Sequence, residues 1–88
     1  MSDTQGFPEP TLTILAMQLY MQAQISLGAY PNPMTQNVEV NLTQAKHSID
    51  VLDMLFEKTQ GNRTNEETGD IERMIHELKM AYVEKQNA

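Results

Sequence analysis

The residues best suited to chemistry are His47, Asp50 and Asp53, followed by a carboxylate group at Glu66, Glu67 and Asp70. An imidazole beside two carboxylates offers ligands for a divalent cation, or a patch that changes charge near neutral pH. The spacing of three puts His47, Asp50 and Asp53 within reach of one another on a helix surface. Neither an HExxH pattern nor a cysteine pair accompanies His47 or His76, the only two histidines, so a zinc site has no support. A solvated helix face accounts for all three residues, and both histidines are expected on the solvent sides of different helices. Glu66, Glu67 and Asp70 are accounted for by a helix start. An acid–base role would also need an apolar cleft to raise a carboxyl pKa. Gly61-Asn62 is a turn signal, and no glycine-rich phosphate loop is present. No catalytic, cofactor-binding or metal-ligating residue is therefore assigned.

The element carrying His47 is the best marked in the chain. Asn41 to Gly61 has an N-cap candidate in Asn41, with Gln44 placed to return the bond. Leu42, Ala45, Ile49, Leu52 and Phe56 recur in steps of three and four, and Val51 and Leu55 widen the stripe. Lys46, His47, Asp50, Asp53 and Glu57 fall opposite. Gly61 suits a helix end, and Lys58 suits the negative end of the dipole. The broad apolar arc predicts packing against two neighbours.

A first helix is expected from about Thr11 to Gly28. Leu12, Leu15, Ala16, Leu19, Ala23 and Leu27 form one apolar side, and Ile14, Met17, Met21 and Ile25 form another. A peripheral helix of a monomer rarely needs two such faces. A third helix starts at Thr64, whose pairing with Glu67 is a capping-box signal. Its buried stripe is Ile71, Met74, Ile75, Leu78, Ala81 and Tyr82. Gly69 in its early turns is tolerated, not required. Between the first two helices, Pro31-Asn32-Pro33 forbids continuous helix. Val38 and Val40 are expected to pack against helix ends.

The resulting fold class is all-α: a three-helix domain with a long helix 1–2 connection and an antiparallel helix 2–3 hairpin. Residues 1–10, with Gly6, Pro8 and Pro10, form an expected flexible arm. Residues 11–84 form a single helical domain, and 85–88 a frayed end. At 88 residues the chain has material for one domain with a modest core. It has no cysteine to supplement that core. The formal net charge of −6 disfavours nucleic acid and anionic membrane surfaces. The uncharged run from Leu12 to Leu27 is broken by glutamines and is short for a bilayer. Acidic residues flank it where an export signal would be basic, so a cytoplasmic location is expected.

With these elements in place, the chain resembles the DUF1844 family of small uncharacterised bacterial proteins. The resemblance runs from Leu12 to Val83. It rests on Leu27-Gly28, Pro31-Asn32-Pro33, Val40-Asn41-Leu42 with Ala45-Lys46, and Ile49-Asp50-Val51-Leu52 with Met54-Leu55. Glu57-Lys58-Thr59-Gln60-Gly61-Asn62, Glu77-Leu78-Lys79 and Tyr82-Val83 complete it. Arg63 stands where leucine is common in that family, Lys79 where arginine is common, and Gly69 where a helix former is usual. The family implies a fold and no activity.

The residues point to a small cytoplasmic structural or protein-interaction domain that self-associates through its first helix. The partner is a second copy of the chain or an unidentified protein. The alternative is an enzyme or small-ligand-binding protein with a site at a subunit interface, built around His47, Asp50 and Lys58.

Overall fold

Short polar side chains set the start of every helix. In a computed structural model describing residues 9–88, α1 runs Leu12–Ser26, α2 Leu42–Lys58 and α3 Asn65–Gln86. The three form an all-α domain with no strand among the described residues. Most of the expected N-terminal arm, residues 1–8, lies outside them.

Thr11 accepts from the Ile14 amide at 3.1 Å and caps α1. Asn41 does the same for α2, taking the Gln44 amide at 3.0 Å. The expected return bond from Gln44 is replaced: the Asn41 amide donates to the Ser26 carbonyl at 2.8 Å. One residue thus ties the start of α2 to the end of α1. Thr64 and Glu67 form a complete capping box at α3, with bonds of 2.8 and 3.0 Å. Glu66 and Glu67 lie in that first turn, where the helix dipole favours negative charge.

The end of α1 is a Schellman closure. The Ala29 amide reaches back to the Gln24 carbonyl and the Gly28 amide to that of Ile25. Gly28 sits at φ +83, and a Cβ there would come within 2.8 Å of a Val40 methyl. Val38 lies beside the same spot. The two valines do pack at a helix end, although both remain more than half exposed.

The end of α2 is closed by Arg63, which sequence reasoning treated as a mere departure from the family. Its guanidinium donates to the Phe56 carbonyl and, at 3.0 Å, to the Thr59 hydroxyl. It also donates to Thr68 in α3 at 3.0 Å and lies 3.8 Å over the Phe56 ring. The cation therefore meets an orphan carbonyl at the negative end of α2, an aromatic face and the first turns of α3. Gly61 adopts its positive φ within this turn, beyond the helix.

Each helix packs on the other two. The core holds Ala16, Ala23 and Leu27 from α1 and its cap, Ala45, Ile49 and Leu52 from α2, and Ile71, Met74, Ile75 and Leu78 from α3. Ala81, Tyr82, Leu42, Leu55 and Phe56 pack at its margin. The stripes expected for α2 and α3 are the ones buried. Leu15 departs from the expectation for α1: it is 44% exposed. The small residues Ala16 and Ala23 carry the close contact instead, which turns Leu15 outward.

The two glycines Gly28 and Gly69 predict opposite outcomes. Gly69 is helical, and a Cβ there meets nothing within 4 Å. Gly69→Ala should raise stability by about 0.5–1 kcal/mol, read as a higher midpoint of thermal unfolding. Gly28→Ala combines a left-handed backbone with the clash at Val40, and should cost about 1–3 kcal/mol.

Candidate functional surface

The polar groups singled out by type and spacing are dispersed, and most are occupied. Asp50 pairs with Lys46 at 2.8 Å on the exposed face of α2. That contact, through its hydrogen bond first and its charge second, holds the Lys46 ammonium above its ordinary pKa. Asp53 pairs with Lys79 of α3 at 2.9 Å, and Asp70 with Arg73 at 3.3 Å. Glu67 is committed to the capping box. His47, His76 and Lys58 are exposed on helix surfaces. No group of three or more acidic, histidine or cysteine side chains among the described residues could hold a metal ion.

Two recesses lie against α3. One, between α1 and α3, is lined by Met17, Tyr20, Arg73 and Glu77. Tyr20 crosses it and donates to Glu77 at 2.7 Å. This bond raises the Tyr20 pKa, because ionisation would remove the donor and set two negative charges side by side; desolvation adds to the effect. The second, between α2 and α3, is walled by Ile49, Tyr82 and Val83 with Lys46, Asp50 and Lys79 at its edge. Of the trio His47, Asp50 and Lys58, only Asp50 borders it. The fold thus brings no nucleophile, base and anion-stabilising group together there.

The least satisfied surface is apolar. Leu15, Met17 and Met21 of α1 are 44%, 49% and 45% exposed. Ile14 and Ile25 lie half-buried beside them. Met17, Met21, Ile14 and Ile25 are the second face expected of the first helix, and Leu15 is exposed apart from them, across Gln18 and Gln22. None of the residues of α1 is acidic or basic, so the strip is uncharged on a chain of net charge −6. Scattered exposed apolar residues are ordinary on a protein surface. Met17 and Met21 on one charge-free helix face, with half-buried Ile14 and Ile25 beside them, form a patch of the kind that marks an interaction site. Met54 on α2 and Met80 and Val83 on α3 are also exposed, each among charged neighbours. No helix among the described residues is long and apolar enough to cross a membrane.

Comparison with known families gives one match, to the family described as "Domain of unknown function (DUF1844)", over residues 9–84. No curated protein and no solved structure shows a significant match to the chain.

Proposed function

We propose a structural or protein-interaction role, exercised through self-association of α1, for this chain, which belongs to the DUF1844 family of uncharacterised bacterial proteins. The observation that carries it is the uncharged face of Met17 and Met21, with Ile14 and Ile25 beside them, left outside the core. Two chains of charge −6 repel at contact distance unless they meet where neither presents charge. The α1 face satisfies that condition and offers apolar area to bury. Methionine fits such a surface because its flexible thioether adapts to a facing copy.

In this reading residues 11–84 act as one helical domain, with 27–41 as a long connection and α2–α3 as an antiparallel hairpin. The hairpin is supported by Arg63 joining the end of α2 to the start of α3, and by early α2 residues Lys46 and Ile49 meeting late α3 residues Tyr82 and Val83. A cytoplasmic setting belongs to the same reading. An enzyme or ligand site built between subunits on His47, Asp50 and Lys58 has less support, since His47 and Lys58 border none of the recesses described along the helices.

Sedimentation velocity over a micromolar concentration series tests the proposal. The weight-average mass should rise with concentration, or sit above that of one chain throughout. A strict monomer across the series would sink it.

A further inference from the structure

We propose that the recess where the end of α1 meets the start of α2 binds a small hydroxylated ammonium compound of about amino-sugar size. The recess has a volume of about 300 Å³ and draws its walls from α1, α2 and the connection between them. That is the lower end of the range for small-molecule sites.

Two buried serines point to a ligand. Ser26 and Ser48 are 8% and 6% exposed, and both line the recess. A serine within a helix commonly satisfies its hydroxyl on the carbonyl one turn earlier, as Thr59 does on Leu55. Neither Ser26 nor Ser48 makes a side-chain hydrogen bond to another described residue. No buried side-chain oxygen among the described residues is both sealed from solvent and unpartnered. The two hydroxyls therefore keep contact with solvent, and both residues line the recess, which makes them candidates to bond what occupies it. They belong to different helices, so a ligand bonded to both would span the α1–α2 junction.

The remaining lining fixes the chemistry. Glu39 is the one charged residue among the described residues that line it. One Glu39 carboxylate oxygen takes the Thr35 hydroxyl at 2.9 Å, which leaves the other for a ligand. The side-chain oxygens of Asn32 and Asn41 accept the Met34 and Gln44 amides, so both side chains retain their NH₂ groups as donors. Gln22 and Gln44 add two further amides. The matching ligand places a cation at Glu39 and hydroxyl oxygens against the amides and serines. No lysine, arginine or histidine lines the recess to welcome an anion. The start of α2 does not supply that role, because Asn41 already caps it.

Glucosamine, glucose and glucuronate have nearly one shape and carry a positive, zero and negative charge. Each is titrated into the isotope-labelled full chain at neutral pH while amide resonances are followed by NMR. Glucosamine should give saturable shifts centred on Gln22, Gln44 and Ser48. Glucose should bind at least about tenfold more weakly, the value of one charge-assisted contact, and glucuronate should not bind. Glu39→Gln should erase the preference for glucosamine over glucose, and Ser48→Ala should weaken both. No saturation with any sugar means that the recess holds only water and overturns the proposal. Equal binding of glucosamine and glucose to the unaltered chain also overturns it, independently of any variant.

Discussion

Met21→Glu should abolish the self-association proposed for α1 while leaving the domain folded. The Met21 side chain is 45% exposed in the isolated domain, at the middle of the charge-free strip. A carboxylate there stays hydrated in the monomer, so the cost to folding should stay within about 1 kcal/mol. In a self-complementary interface the same residue enters from both copies. Two carboxylates then lose water together, with no cation on α1 to receive either. A penalty of roughly 3 kcal/mol raises the dissociation constant about a hundredfold. Sedimentation should show a single-chain mass at concentrations where the unaltered protein associates, and circular dichroism should be unchanged. An unchanged mass would remove α1 as the interface. Gln18→Glu, on the flank of the strip, should have a smaller effect, because a charge at a rim keeps contact with water.

The contrast between the faces of α1 shows how much was legible in the sequence. Its two apolar sides could be counted from Leu12 to Leu27. Which residues went inward could not, because inward and outward sides had similar hydrophobicity. The choice fell on Ala16 and Ala23, whose small side chains let neighbouring helices approach, and Leu15 was displaced to the surface. In α2 and α3, charges on one side made the choice unambiguous, and the buried stripes follow the sequence periodicity.

Local signals were legible wherever the partner lay within a few residues. The caps at Asn41 and Thr64 are of this kind. The Asn41 amide bonding Ser26 and the recess that the two serines share depend on how distant segments meet, whereas Arg63 reaches partners four to seven residues away across a turn whose course the residue types leave open. Ser48 in particular falls by spacing within the apolar arc of α2, between Leu52 and Leu55, and only its polar type separates it from the buried stripe. Its neighbours on α1 and the connection bury it. The same distinction applies to the chemistry first suspected at His47, Asp50 and Asp53. Helical spacing put them near one another, but cross-helix pairing gave Asp53 to Lys79 and local pairing gave Asp50 to Lys46.

Leu52→Ala should be the most damaging single truncation of the core. Leu52 is fully buried in α2, the helix that packs on both α1 and α3. Removing its branched end forfeits transfer free energy and leaves a cavity between elements that cannot close freely, at a cost of about 2–5 kcal/mol. A domain of this length has roughly 4–13 kcal/mol of stability in total. The variant should therefore unfold at least about 10 °C lower, or be unfolded at physiological temperature. Leu15→Ala is the matched comparison, since the same chemical change at a 44%-exposed position should cost less than about 1 kcal/mol. Association would stabilise the folded state and blur the difference, so both truncations are best measured in the Met21→Glu background. Similar losses at Leu52 and Leu15 there would contradict the assignment of inner and outer faces. A large loss at Leu52 alone is what the two positions require, because a leucine outside the core contributes little to folding while one inside it fills space that nothing else can.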